Sequence, residues 1–393
     1  MSHPPRILVL GSTGSIGQST LDVVTQLRSA GLRDYAVVGL AAGSNSALLA
    51  RQAAATGATD VAIADLDAAA AYRGPGRVHS GPDAARVLVQ AIAEPGDILV
   101  AAIVGAAGID AVLAGIERGC RIALANKETL VAAGSVVIPA AAKAGVDIIP
   151  VDSEHCALFQ CLHGEEKRGE VERLVLTASG GPFRGKSASE IASATIEQAL
   201  SHPTWKMGRK ISIDSATLAN KALEIIEAHW LFGLPADQID AIVHPQSIVH
   251  GFVEFIDGSV LAQCGPPDMR TPIQYALTWP DRVNASGHRM NWAELSTLDF
   301  EQIDHQAFPV IELAWQAIRA GGTAGAVLNA ANEVAVESFL SGDISFGTIT
   351  TLVGEACAAC APQPAHDLSD IREADAEARR FVNSHLPHSP ANA

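Results

Sequence analysis

The side chains best suited to chemistry stand together in Asp152-Ser153-Glu154-His155, directly after the apolar run Ile148-Ile149-Pro150-Val151. The run reads as a short buried strand that ends in a carboxylate, a hydroxyl, a second carboxylate and an imidazole. Carboxylates beside a core are costly unless they are paired or bind a cation. The expectation is that Asp152 and Glu154 hold a divalent metal. The chain then falls into a cofactor domain before this stretch and a substrate domain after it.

The cofactor side begins with the run Arg6-Ile7-Leu8-Val9-Leu10, which is followed at once by Gly11-Ser12-Thr13-Gly14-Ser15-Ile16-Gly17 and an amphipathic stretch to about Arg28. A strand, a glycine turn and a helix in that order form a dinucleotide site. The glycines let backbone approach a pyrophosphate, and the helix start offers N–H groups. The next strand, Ala36-Val37-Val38-Gly39-Leu40, runs into Ala41-Ala42-Gly43-Ser44-Asn45 without the acid that takes the ribose hydroxyls of NAD. NADP is therefore expected, with Ser44 and Asn45 near its 2′-phosphate. Arg51 reads more simply as a solvated helix residue. Further short apolar runs at Val61–Ala64, Ile98–Ile103 and Ile122–Ala125 suit a parallel sheet covered on both faces. The last run ends in Asn126-Lys127-Glu128, at the strand end where ligands of such sheets gather. Asn126 and Glu128 are placed to touch the nicotinamide half, and Lys127 to face an anionic substrate.

After residue 152 the pattern changes. A strand over Arg173–Thr177 runs into Ala178-Ser179-Gly180-Gly181-Pro182, whose hydroxyl and exposed amides suit a phosphate or carboxylate. His202-Pro203-Thr204-Trp205-Lys206-Met207-Gly208-Arg209-Lys210 is a basic loop with a Trp and a Met that no periodic element explains, and it reads as a lid. A helix is expected from Asp214 or Ser215 as N-cap to Trp230. Asn220, Lys221 and Glu224 share one of its faces, which in isolation is a solvated face. Strand pattern resumes at Ala241–His250 and forms a hairpin around Asp257-Gly258. His244 and His250 fit a structural role as well as a functional one.

The bulk composition bounds the class. The chain has 393 residues, 48% of them apolar, and a net charge of -16. It is globular and long enough for several domains. No basic stripe is present to neutralise nucleic acid phosphates, and the most apolar stretch, Ile98–Ile109, is too short to span a membrane. No secretory signal precedes the first strand. Six irregularly spaced cysteines suit a reducing compartment, so a cytoplasmic location is expected. Cys357 and Cys360 have redox spacing but lie in an Ala-rich helical stretch with no strand before it, and they read as ordinary helix cysteines. Pro280 to Glu301 looks like a linker, Phe308 to Arg380 like a small helical bundle, and the Pro-rich tail from Pro387 like a disordered end.

The motifs quoted so far, with Met207-Gly208-Arg209-Lys210-Ile211-Ser212, Asp214-Ser215-Ala216-Thr217, His244-Pro245-Gln246-Ser247 and Asp268-Met269-Arg270-Thr271-Pro272, resemble those of the 1-deoxy-D-xylulose 5-phosphate reductoisomerase family over nearly the whole chain. The resemblance implies an α/β protein with an N-terminal Rossmann-type parallel sheet, a central α+β catalytic domain and a C-terminal helical bundle. The implied divisions are an NADPH domain at 1–151, a metal and substrate domain at 152–282 with its lid at 202–210, a linker at 283–307, helices at 308–386 and a tail at 387–393. The implied reaction is the NADPH- and metal-dependent conversion of 1-deoxy-D-xylulose 5-phosphate to 2-C-methyl-D-erythritol 4-phosphate, in the non-mevalonate route to isoprenoids. The carbon–carbon bond rearranges by retro-aldol and aldol steps or by an α-ketol shift. By the family pattern, Asp152, Glu154 and Glu224 hold Mg²⁺, Mn²⁺ or Co²⁺. All-oxygen donors suit such hard cations. Glu154 is a ligand first and a base only second. Lys127, Ser153, Ser179, His202, Ser215, Asn220 and Lys221 would hold the substrate, its phosphate near Ser179, Ser215, Asn220 and Lys221, while Trp205 and Met207 close over it. Thr13, Gly14, Ser15, Ile16, Gly43, Asn45, Asn126, Glu128 and Gly208 would line the NADPH site, and Ser44 stands where some members carry Lys. A homodimer is implied. The competing reading is a plain NADP-dependent sugar-phosphate dehydrogenase that leaves the carbon skeleton intact.

Overall fold

The computed structural model describes residues 4–162, 168–205, 207–284 and 286–386. The expected tail at 387–393 and Lys206 of the expected lid lie outside them. The chain divides into two compact units. One comprises Met1–Thr129, Val137–Phe159 and Asp268–Met290, and the other Leu130–Val136, Gln160–Pro267 and Asn291–Ala393.

The first unit is built on seven parallel strands: β1 (Arg6–Leu10), β2 (Ala36–Ala42), β3 (Asp60–Ile63), β4 (Arg77–Ser80), β5 (Ile98–Ala101), β6 (Arg121–Leu124) and β7 (Ile148–Pro150), in the order β4-β3-β2-β1-β5-β6-β7. The order reverses between β2 and β5 on either side of β1, so the crevice for a ligand opens at the carboxyl end of β1. β1 and β5 are nearly continuous apolar runs because helices cover both faces. β4, RVHS, is polar at three of its four residues, exposed at all but His79, and sits at the edge, which is why periodicity does not reveal it.

The stretch 268–290 belongs to this first unit. Its helix Arg270–Thr278 buries Ile273, Ala276 and Leu277 in the same core as Ile7, Val100 and Ile149. Tyr35 donates to the Leu277 carbonyl at 3.1 Å, and Arg121 donates to the carbonyls of Trp279 (2.7 Å) and Leu277 (3.0 Å). Phe159 packs edge-on against Tyr275 and Trp279.

The second unit holds a four-stranded mixed sheet, β8 (Val171–Ala178), β9 (Ile239–Val243), β10 (Val249–Phe255) and β11 (Val260–Cys264), ordered β11-β10-β8-β9. β10 and β11 form the expected hairpin, with Gly258 at a φ of 85° in its turn. The helices Val310–Ala320, Ala324–Ser341, Phe346–Ala359 and Leu368–His385 form the expected C-terminal group. Segments of the expected linker are pinned to the sheet: Val243 and Glu301 exchange backbone hydrogen bonds of 2.9 Å each, and His244 donates through Nδ1 to the Asp299 carbonyl at 2.8 Å and stacks on Phe300. His244 thus ties this segment to the sheet. Burial pushes the Cys357 thiol up to about 12 and raises that of Cys360, so neither is the low-pKa thiolate of a redox pair.

One expectation is corrected. The helix read from Asp214 to Trp230 is two helices, Arg209–Ala216 and Ala219–Phe232. Leu218 between them has a φ of 59°. The Thr217 hydroxyl donates back to the Ile213 carbonyl and accepts from the Ala219 amide at 3.2 Å, which ends one helix and starts the next. Asp214 and Ser215 are therefore in a last helical turn and are not N-caps.

Candidate active site

The glycine turn is held where the sheet order reverses. Gly11 and Ser12 donate to the Ala41 carbonyl at 2.9 and 2.8 Å. Gly11 has a φ of +79°, and a Cβ there would lie 2.3 Å from the Ala102 carbonyl oxygen, so glycine is obligatory. The helix Ser15–Ser29 starts at Gly14 without a side-chain cap. Its first amides, flanked by Thr13, Ser15 and Ile16, are offered to an anion, and this fits a dinucleotide pyrophosphate. Sequence reading missed the brace behind the turn. Ser12 Oγ donates to Gln52 at 2.9 Å, and Gln52 Nε2 donates back to the Ser12 carbonyl at 2.7 Å. A lone Gln in the Ala-rich run Gln52-Ala53-Ala54-Ala55 was the available signal.

At the end of β2, Gly43, Ser44 and Asn45 are exposed, and the Asn45 side chain caps the helix Ser46–Thr56 by accepting from the Leu48 amide. Past β6, Asn126 is buried. Its Nδ2 donates to the Gly105 carbonyl at 2.9 Å, and its Oδ1 accepts from the Thr129 amide and hydroxyl. Asn126 thus shapes the loops at the strand ends, and the buried Glu128 opens the following helix.

The carboxylates stand where β7 ends. Asp152 follows the strand, and the helix Ser153–Cys161 begins directly after it. Asp152 pairs with Lys127 from the end of β6 and accepts from the Ser153 amide at 3.0 Å. Ser153 Oγ donates to Glu154 at 2.6 Å. Neighbouring strands β6 and β7 therefore bring Lys127, Asp152, Ser153 and Glu154 together. The set is oxygen-rich and anionic, with one ammonium, and it fits a hard divalent cation beside an anionic substrate.

In the second unit, Ser179 follows β8 and His202 opens the expected lid loop. His202 Nδ1 accepts from the amides of Thr204 (3.1 Å) and Trp205 (2.9 Å), so its proton sits on Nε2, which donates to Ser179 Oγ at 3.0 Å. Ser179 Oγ also accepts from the Gly181 amide at 3.2 Å, which leaves the hydroxyl proton to be donated outward. Gly181 lies against the helix that carries Ser215, and a Cβ on it would sit 2.6 Å from the Ser215 carbonyl oxygen. On the next helix, Asn220 donates to Glu224 and Lys221 pairs with Glu224, with Lys221 and Glu224 both buried. The expected solvated face is thus a buried polar cluster. Trp205 and Met207 are half-buried, and Gly208 caps the helix Arg209–Ala216.

Burial holds the His202 imidazole below its ordinary 6.5. A depressed base contributes its stabilisation fully above its unfolded value and loses it as pH falls through the lower folded value. Protonation takes Nδ1 away from both loop amides. The KM for a phosphorylated substrate is expected to rise on the acid side, with a midpoint below 6.5. The comparison is with His202→Asn, which keeps an acceptor but does not titrate. Any substrate phosphate titrates in both proteins, at about 6, so the difference isolates the imidazole. Identical acid limbs would show that His202 does not hold the loop.

The comparisons agree with this geometry along the chain. Residues 7–134 match the family described as 1-deoxy-D-xylulose 5-phosphate reductoisomerase, residues 148–232 its C-terminal domain, and residues 264–381 the DXP reductoisomerase C-terminal domain. A 1-deoxy-D-xylulose 5-phosphate reductoisomerase of Chlorobium chlorochromatii is 48% identical over 384 residues, covering 96% of this chain and 99% of the relative. One from Rhodococcus jostii is 51% identical, covering 96% and 93%. The Zymomonas mobilis enzyme of that name, solved with NADPH, superposes with a TM-score of 0.90 at 41% identity, covering 98% of this chain and 100% of that one. A DOX-P reductoisomerase solved with NADPH, fosmidomycin and magnesium also reaches 0.90, at 37% identity and coverage of 97% and 98%. With a seven-stranded parallel sheet, a glycine turn at its reversal point and carboxylates at the end of β7, the chain belongs to the 1-deoxy-D-xylulose 5-phosphate reductoisomerase family.

Proposed function

We propose that the protein converts 1-deoxy-D-xylulose 5-phosphate to 2-C-methyl-D-erythritol 4-phosphate with NADPH and a divalent cation, as a step of non-mevalonate isoprenoid biosynthesis. The observation that carries the reading is the joint placement of Lys127, Asp152, Ser153 and Glu154 at the ends of β6 and β7, in the unit that holds the dinucleotide turn.

In this reading Asp152, Glu154 and Glu224 hold Mg²⁺, Mn²⁺ or Co²⁺, which polarises the substrate ketone as a Lewis acid. NADPH supplies the hydride, and Thr13, Gly14, Ser15, Ile16, Gly43, Ser44, Asn45, Asn126, Glu128 and Gly208 bind it. Lys127 and Ser153 orient the sugar oxygens. Ser179 donates its hydroxyl proton to the phosphate, and Ser215, Asn220 and Lys221 supply further donors. His202 links the loop to Ser179, and Trp205 and Met207 exclude water above the reacting carbons. We assign 1–151 to the cofactor and 152–282 to metal and substrate, with Lys127 and Gly208 the exceptions to that division, and 283–307 as the connection to the helices 308–386.

The test is NADPH oxidation with 1-deoxy-D-xylulose 5-phosphate, with and without EDTA, and NMR of the product. A branched tetrol phosphate and full dependence on metal are expected. An unbranched product would establish the plain dehydrogenase instead.

We also propose a cytoplasmic homodimer. Every described cysteine is free, and no helix among the described residues is long and apolar enough to cross a membrane. Among the described residues β11 is an unpaired sheet edge, with Val260 54%, Leu261 48% and the neighbouring Ile256 63% exposed, and a second copy is the occupant such an apolar edge suits. The variant V260K/L261K is expected to sediment as a monomer where the unsubstituted protein sediments as a dimer. Equal masses for the two would rule out this edge.

A further inference from the structure

We propose that Asn332, in the C-terminal helical group, is a positioning residue for substrate phosphate, acting through Asp214 on Lys210 and on the helix that carries Ser215. The inference rests on the reading of Ser215 and Ser179 as phosphate donors given above.

Asp214 is 2% exposed and Asn332 1%. Asn332 Nδ2 donates to Asp214 Oδ1 at 2.7 Å across 118 residues of sequence, and Lys210 Nζ donates to Asp214 Oδ2 at 2.7 Å. Each carboxylate oxygen therefore has a donor from a different element. Asp214 and Lys210 lie on the helix Arg209–Ala216, and Asn332 on the helix Ala324–Ser341.

Three physical points favour a role in binding over one in folding. Lys210 is a cation in a first helical turn, where the helix dipole disfavours it, and Lys N-terminal to Asp is the weaker order for an i, i+4 pair. The pair needs Asp214 held in place. A buried amide–carboxylate contact adds little stability over apolar side chains of similar size, and the surrounding helix already supplies Ala330, Ala331 and Ala335 for packing. Such a contact does fix geometry. Here it fixes the helix between its two functional ends: the 202–208 loop enters at Gly208, and Ser215 sits against Gly181 of the Ser179 turn. Closely packed backbone passes a small displacement of Asp214 on to Ser215.

The variants N332L, D214N and the double N332L/D214L test this, with KM for 1-deoxy-D-xylulose 5-phosphate, KM for NADPH and melting temperature as readouts. N332L is expected to raise the sugar-phosphate KM about tenfold, the worth of one hydrogen bond to a charged group, while the NADPH KM stays within about twofold. The double variant leaves the partly exposed Lys210 ammonium without Asp214, so its melting temperature is expected to fall a little, and it is expected to show the same raised KM. A sugar-phosphate KM unmoved while the melting temperature falls overturns the proposal, as does an equal rise in both KM values. Should N332L not fold, D214N, which keeps the shape but removes the charge holding Lys210, carries the same comparison. If unsubstituted protein turns over no sugar phosphate, the functional reading fails by itself. Inorganic phosphate binding by calorimetry then decides the inference: about tenfold weaker binding in N332L supports it, and equal binding overturns it.

Discussion

Replacing Glu224 by Gln is expected to lower turnover about a thousandfold. Lewis-acid polarisation by a bound cation is worth several kcal/mol, and each ~1.4 kcal/mol is a factor of ten. Gln keeps the shape of Glu224 and an oxygen for Asn220 and Lys221, but it is not an anion. Two effects have to be separated. Lys221 is buried beside Glu224 on the same helix, so the substitution also leaves a buried ammonium without its counter-charge. Breaking a buried pair from one side costs about 3–5 kcal/mol of stability. Turnover is therefore measured at a temperature where circular dichroism shows the variant folded. NADPH affinity, read by fluorescence, should be unchanged, and saturation should need far more Mn²⁺ or Mg²⁺. A folded E224Q enzyme within about tenfold of normal turnover would remove Glu224 from the metal site and leave the Lys221 pair as its role.

The legibility of this site in the sequence follows the physics of each part. The strands β1, β2, β5, β6 and β7 show themselves because a parallel sheet covered on both faces must be continuously apolar, and the polar residues that interrupt those runs mark the ligand end. That is why Asn126-Lys127-Glu128 and Asp152-Ser153-Glu154 could be placed without a structure. The face formed by Asn220, Lys221 and Glu224 is different. By spacing alone it is a solvated helix face, because periodicity records which residues share a face and not what covers it. The family resemblance, and not the pattern, corrected that. The break at Leu218 was hidden because a non-glycine residue with positive φ carries no compositional mark. The partners of Gln52 and Asn332 were hidden for a related reason. Two hydrogen bonds tie Gln52 to Ser12 across 40 residues and one ties Asn332 to Asp214 across 118, and no local pattern encodes such distant contacts.

Gly11→Ala separates the architecture of the cofactor site from its contacts, and it is expected to abolish measurable NADPH binding. The backbone at Gly11 has a φ of +79°, and the added Cβ would lie 2.3 Å from the Ala102 carbonyl oxygen. Left-handed backbone costs an L-residue about 1–2 kcal/mol, and relieving an overlap in packed structure costs about 1–3 kcal/mol more. The turn cannot relax locally. The Gly11 and Ser12 amides, just after β1, are tied to the Ala41 carbonyl of β2, and the Ala102 amide donates to the Leu10 carbonyl. Relief must come from moving the turn away from β5, which carries Gly14 and the first helical amides out of reach of a pyrophosphate. Gly43→Ala is the matched control. It lies at the same crevice, nothing stands within 4 Å of its added Cβ, and its φ is not in the left-handed range. It should leave the melting temperature in place, since exposed substitutions usually stay within about 0.5 kcal/mol, and should alter NADPH affinity only as far as Gly43 itself touches the cofactor. Thermal denaturation and fluorescence titration with NADPH read both effects. A Gly11→Ala protein that binds NADPH normally would mean the turn reaches the cofactor by a route other than its approach to Ala102.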